Sequence, residues 1–343
     1  WLGFRLAQRL FRNQTVAILT ALVLAAHPSF VAYSGILASE PLFTVLTLAG
    51  TLILLNGRDS RRSWVWGGVL FGLAVLVRPQ AALIPVIVLL AAWRWEDVPI
   101  RSFPLGRAVG WTYLALVLVI SPWLIRNAIV FGSFVFVSTN GGDNILIGNH
   151  EGATGRYKNP DECGLERPAG LGEIEREKMA RKAGIDYIRA HPLRTIRRWP
   201  SKLEYTFVTS SDVAYWAFQK EFGILTEPGR GEDKSLYLAT KSAGEMFTKM
   251  ILGLAAFAVF ILPVLRKRLG DKLVSPATAW LMVGYSALLS VAFFGNPRFA
   301  FPVLPLLVMY ACAAPVALTY VVARLPLPPD EPSADEPTES QSL

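Results

Sequence analysis

The chain has 343 residues, of which 52% are hydrophobic and only 17% charged, with a mean hydropathy of +0.39 and a net charge of +8. Soluble domains carry about 25% charged residues, so this composition excludes one and points to a protein that crosses a membrane several times. The positive excess lies mostly in short connections between apolar windows, where it is a topology signal and gives no reason to expect nucleic acid as a partner.

Eight apolar windows follow in chain order: about 15–37, 40–56, 64–78, 80–93, 108–125, 246–265, 274–294 and 299–322. Segments of this kind cross a hydrocarbon core about 30 Å thick. The third and fourth are short and separated only by Arg78-Pro79-Gln80, so a re-entrant hairpin is the competing reading. Trp64 and Trp66, then Trp93 and Trp95, favour two crossings with aromatic anchors on one face. The predicted fold class is therefore all-α and polytopic.

If the spans alternate, fourteen basic residues fall on one side: Arg5, Arg9, Arg12, Arg58, Arg61, Arg62, Arg94, Arg101, Arg107, Arg266, Lys267, Arg268, Lys272 and Arg324. Only Arg78 and Arg298 fall in the opposite short turns, which makes the first side cytoplasmic. This gives a transmembrane core over 1–126 with about five spans, an extracytoplasmic domain over 127–245, three more spans over 246–325, and a cytoplasmic tail over 326–343. The tail is rich in Pro, Ser and acidic residues and is expected to be disordered.

The outer domain holds sixteen Lys/Arg and sixteen Asp/Glu, the balance of a solvated unit. Glu173 to Ala190 has near-helical apolar spacing and should stop at His191-Pro192, because proline disfavours helical geometry in the residue before it. Leu193 to Phe207 interleaves Arg194, Arg197, Arg198 and Lys202 with apolar residues, a pattern suited equally to anionic headgroups and to a solvated helical face. Cys163 and Cys312 fall in different compartments and cannot pair with each other. No Cys/His spacing suggests a metal, and a divalent ion has no support in the sequence.

Polar residues gather at the outer ends of the spans. His27-Pro28, Tyr33-Ser34 and Ser39-Glu40-Pro41 come first, then GLAVLVRPQ at 72–80, PWLIRN at 122–127, NGGDN and GN within 140–149, and GNPRFAFPVLPLL at 295–307. Together, in this order, they resemble the bacterial protein mannosyltransferase-related glycosyltransferases of family 39, which have the GT-C membrane fold. The resemblance implies inverting transfer of a sugar from a polyprenyl-phosphate donor to an acceptor glycan, lipid or protein at the outer face of the bacterial plasma membrane. It also implies a catalytic aspartate in a first outer loop upstream of Trp1, so the chain is expected to be truncated at its amino terminus.

On that resemblance, Glu40 is expected to be an accessory catalytic carboxylate. Arg298, Arg126 and Arg78 are expected to bind the donor phosphate, and Asp143, Asn144, Asn149 and His150 to form a substrate-contacting loop in which glycines let the backbone approach a ligand. Each has a plainer explanation: helix-end stabilisation for Glu40, snorkelling to headgroups for the arginines, turn chemistry for the Asn and Gly residues. A transporter or lipid-carrier flippase is the alternative function. It would more often place charge near the bilayer midplane and show repeated halves.

Overall fold

A computed structural model describes residues 1–57, 60–95, 104–168, 170–209, 231–269 and 277–322. Arg58, Arg101, Lys272, Arg324 and the 326–343 tail lie outside the described residues. The membrane core contains α1 (Leu2–Phe11), α2 (Gln14–Ala26), α3 (Pro28–Ser34), α4 (Ser39–Asn56), α5 (Arg61–Val77), α6 (Ile84–Trp95) and α7 (Leu105–Phe131). The segment after α7 adds α8 (Gly141–Gly148), α9 (Glu173–Ala190), α10 (Pro192–Arg197) and α11 (Trp199–Phe207). The chain then returns through α12 (Gly231–Leu269), α13 (Ala277–Ala292), α14 (Pro297–Ala300) and α15 (Leu304–Val322). Among the described residues the only β-type pairing is an isolated parallel bridge between Arg156 and Gly295.

Each apolar window coincides with a helix or helix pair, and the fold is an all-α polytopic membrane bundle. Among the described residues four helices are long and apolar enough to cross a membrane, or five if the bent α2–α3 pair forms one span. That pair bends by 56° at His27-Pro28. Proline at the first position of α3 supplies no N–H to α2, and the His27 Nδ1 accepts the Ser29 N–H at 3.1 Å to cap the new helix.

Hydropathy also predicts depth. α15 is apolar all round, and 89% of the best window in the Pro297–Val322 segment that contains it is buried, so this segment forms the centre of the bundle. Its Tyr310 packs edge-on against Phe11 at 5.2 Å and beside Trp280 at 4.5 Å. α7 is 22% buried over its best window and lies at the periphery, its exposed Leu118, Ile125 and Ile129 facing the apolar surround.

Three details differ from the sequence expectation. Trp64 is buried in the core and is no interfacial anchor, whereas Trp66 is exposed. The glycine-rich stretch expected as a loop is helix α8, and Gly142 serves helix contact: a Cβ there would overlap the Glu177 carbonyl of α9. Both expected domain boundaries fall inside helices, 127 within α7 and 245 within α12.

Candidate functional site

The site is built where helices are interrupted by proline. Pro79 forces Arg78 into extended geometry (φ −149°, ψ 117°), ending α5 and turning the arginine side chain out of the helix. Asn296 is extended for the same reason (φ −152°) before Pro297, and its side-chain oxygen accepts the Arg298 N–H at 2.9 Å. Glu40 stands in the first turn of α4.

These three residues converge. Glu40 is 1% exposed; its Oε1 accepts Arg78 Nη2 at 2.6 Å and also the Arg298 Nε–H in a short ion pair. Ser39 donates its hydroxyl to Glu40 Oε2 at 3.3 Å and accepts from Arg78 Nε and Nη2 at 3.3 and 3.1 Å. Two guanidiniums share one buried carboxylate. Exposure divides the cluster further: the Arg78 side chain is 14% exposed and the Arg298 side chain 45%.

The surroundings hold the cluster rigidly. The Tyr285 hydroxyl donates to the Gln80 carbonyl at 2.7 Å, and Ser286 donates to the Phe299 carbonyl at 2.6 Å, tying both proline turns to α13. Phe301 packs on Tyr33 at 4.4 Å and Phe30 at 4.7 Å. A crevice among Phe43, Thr47, Tyr285 and Phe299 has a volume of about 20 Å³, room for one water.

The remaining expected site residues lie elsewhere. Arg126 Nη1 donates to the Asn127 side-chain Oδ1 at 2.9 Å, and the guanidinium lies against the Trp123 and Phe131 rings, at 5.0 and 5.8 Å. Asp143 pairs with Arg167 within the outer domain. Asn144 is on α8, its N–H bonded to the Asn140 carbonyl. Asn149 is fully buried with its amide engaged at both ends. His150 bonds the Leu146 carbonyl through Nδ1 at 3.0 Å, and burial pushes its imidazole below the usual histidine range, so it is neutral at pH 7. His150 and Asn149 line an open outer cleft of about 300 Å³ with Glu151, Glu162, Cys163 and Tyr187.

Sequence reasoning missed Lys202. The residue is fully buried, far from the headgroup role its amphipathic stretch suggested, and donates from Nζ to Asn149 Oδ1 at 3.2 Å and to the Val291 carbonyl at 2.9 Å. Among the described residues no group of three or more His, Cys, Asp or Glu is placed to hold a metal ion.

Fold and cluster thus define a multi-span membrane protein with a compact cationic site where its helices are interrupted. Residues 1–125 match the dolichyl-phosphate-mannose-protein mannosyltransferase family, which places Glu40 and Arg78 inside the similarity and Arg126 and Arg298 beyond it. No curated protein and no solved structure matches the chain.

Proposed function

We propose that the chain is a GT-C-type membrane glycosyltransferase that transfers a sugar from a polyprenyl-phosphate donor to an acceptor at the extracytoplasmic face, with inversion. The observation that carries this reading is the convergence of Arg78 and Arg298 on the buried Glu40, together with the mannosyltransferase similarity over 1–125. Residues 38 and 258 positions away from Glu40 meet on one oxygen, and the outer of the two arginines is nearly half exposed.

Guanidiniums suit such a donor, because a polyprenyl-phosphate sugar carries a negative charge on its phosphodiester. In the reaction the acceptor oxygen bonds to the anomeric carbon, the bond from that carbon to the phosphate oxygen breaks, and the acceptor proton passes to a base. The phosphate leaves as a monoester whose second ionisation lies near pH 6, so it gains most of another charge. Donors aimed at that developing charge stabilise the transition state more than the ground state. Arg298 is assigned this role, and Arg78 and Glu40 hold it in place.

The test is transfer of radiolabelled sugar from polyprenyl phosphate by the purified full-length protein. Arg298→Ala should lower donor binding and transfer together, by ~2–4 kcal/mol in kcat/KM. Arg298→Lys should keep part of the binding but lose turnover, because an ammonium lacks the two-pronged geometry of guanidinium. Near wild-type rates for both would remove Arg298 from the site.

A further inference from the structure

The turn that carries Arg298 is held from outside the membrane bundle. α13 ends at Ala292 with no basic residue in its last turn, which leaves its final carbonyls in need of donors. The outer domain supplies them. Lys202 Nζ donates to the Val291 carbonyl at 2.9 Å, and Asn149 Nδ2 donates to the Ala292 carbonyl at 3.0 Å. Lys202 also donates to Asn149 Oδ1 at 3.2 Å, so the two side chains form one clamp.

Further contacts follow residue by residue toward the site. Phe294 is buried among Leu146, Ile147, Cys163 and Ala180, the small core of the outer domain. The Gly295 N–H donates to the Gly155 carbonyl at 2.7 Å, and the Asn296 N–H donates to the Thr206 hydroxyl at 3.2 Å. The approach is close enough that a Cβ on Gly148 would overlap the Phe293 carbonyl, and one on Gly295 would overlap the Lys202 backbone. Asn296 then caps Arg298, and Arg298 grips Glu40. Side chains and backbone of the outer domain thus contact each residue from Val291 to Asn296, and the Phe293 N–H also returns to the Leu289 carbonyl at 2.9 Å.

We propose that Lys202 and Asn149 are positioning residues that, with Thr206, hold the 291–296 turn so that Arg298 stands at the donor phosphate. The proposal rests on the glycosyltransferase reading for its catalytic consequence but not for its structural one. A cation at the carbonyl end of a helix is favoured by the helix dipole, and a buried donor pair with all its partners engaged has one discrete arrangement, which is what a positioning device requires. Lys202 reaches no substrate from its buried place; it acts through Arg298.

Two measurements on the full-length protein separate the structural and catalytic parts. The first is amide hydrogen exchange in a peptide covering 293–299. Lys202→Met should speed exchange there by about tenfold or more, with peptides from α4 and α15 unchanged. Thr206→Val keeps the side-chain shape and removes the acceptor for the Asn296 N–H together with the hydroxyl's own bond to the Lys202 carbonyl, so it should give a smaller increase in the same peptide and serves if Lys202→Met does not fold. Unchanged exchange in Thr206→Val, and in Lys202→Met where it folds, overturns the clamp. The second is a double-mutant cycle in sugar transfer. Lys202→Met should lower kcat by about tenfold or more with little change in acceptor KM, and should cost nothing further in an Arg298→Ala background. Additive losses overturn the positioning role. A wild-type protein that transfers no sugar while the exchange result holds would sink the glycosyltransferase reading and leave the clamp standing.

Discussion

Replacing Glu40 by Gln removes one charge from beneath two arginines while preserving shape. Arg78 Nη2 and Arg298 Nε both lie against Oε1, so they are no more than about 5 Å apart, and without the carboxylate their repulsion is about 3 kcal/mol at an effective dielectric of 20. Removing one partner of a buried ion pair costs about 3–5 kcal/mol in general, because the other charge stays desolvated. Arg78, 14% exposed, suffers this fully, whereas Arg298, 45% exposed, can turn toward water. A loss of about 3–4 kcal/mol is expected. A carboxylate that only favoured the positive end of α4 would contribute about 0.3–1 kcal/mol, so the two roles differ by a measurable margin.

The assay is denaturant unfolding of the purified protein in detergent, paired with sugar transfer. Glu40→Gln should destabilise by the larger figure and lower kcat more than it raises donor KM, since the added positive charge still attracts phosphate while Arg298 loses its anchor. Glu40→Gln combined with Arg78→Met should recover part of the stability, because it removes the stranded cation together with its partner. A loss below about 1 kcal/mol with transfer intact would reduce Glu40 to a helix-end charge and refute the cluster as a preorganised unit.

Other outcomes are accessible with the same preparation. Burial pulls the Lys202 ammonium down to about 8 from the ordinary 10.5, with Arg198 as the contributing charged neighbour. Between those values the unfolded chain holds a proton that the folded chain has shed, so stability should rise by about 2 kcal/mol from pH 7 to pH 9.5 and flatten below pH 7. Lys202→Met should abolish that rise, and an equal slope in the variant would contradict the assignment. Gly148→Ala, whose Cβ would overlap the Phe293 carbonyl, should destabilise by about 1–3 kcal/mol or undock the outer domain, seen as faster exchange in α8. Cysteines at the exposed positions Arg62 and Asn159 test topology, since native Cys163 and Cys312 are buried and give low background. An impermeant thiol reagent on intact cells should label position 159 alone; labelling of 62 alone would invert the orientation.

Much of the fold was legible because its signals are local. Hydropathy located each window, the apolar residues all round 304–322 marked the central helix, and the charged pattern with His191-Pro192 set α9 at Glu173–Ala190 as observed. The X-Pro steps at 27–28, 78–79 and 296–297 marked where polar side chains leave the helices. Arg78 and Arg298 stand at or beside two of these steps, and Glu40 was visible from its place at the end of an apolar window. Their meeting on one oxygen was not, since it depends on the packing of α4, α5 and α14, which sequence spacing does not encode.

Lys202 shows why the remainder was hidden. In its own segment it reads as one of four cations among apolar residues, the arrangement suited to headgroups or solvent. Its fate is set ninety residues later by a helix whose last turn contains no basic residue. The glycines of 141–148 are equally ambiguous in sequence, since a ligand and a neighbouring backbone both require a missing Cβ. The signal that distinguishes these cases is a deficit at the partner: α13 ends in an apolar run followed by Phe293-Phe294-Gly295-Asn296-Pro297, offering carbonyls but no nearby side-chain cation to meet them. A buried cation from elsewhere in the chain is the physical solution to that deficit, and Lys202, with Asn149, supplies the donors at the turn from which Arg298 projects.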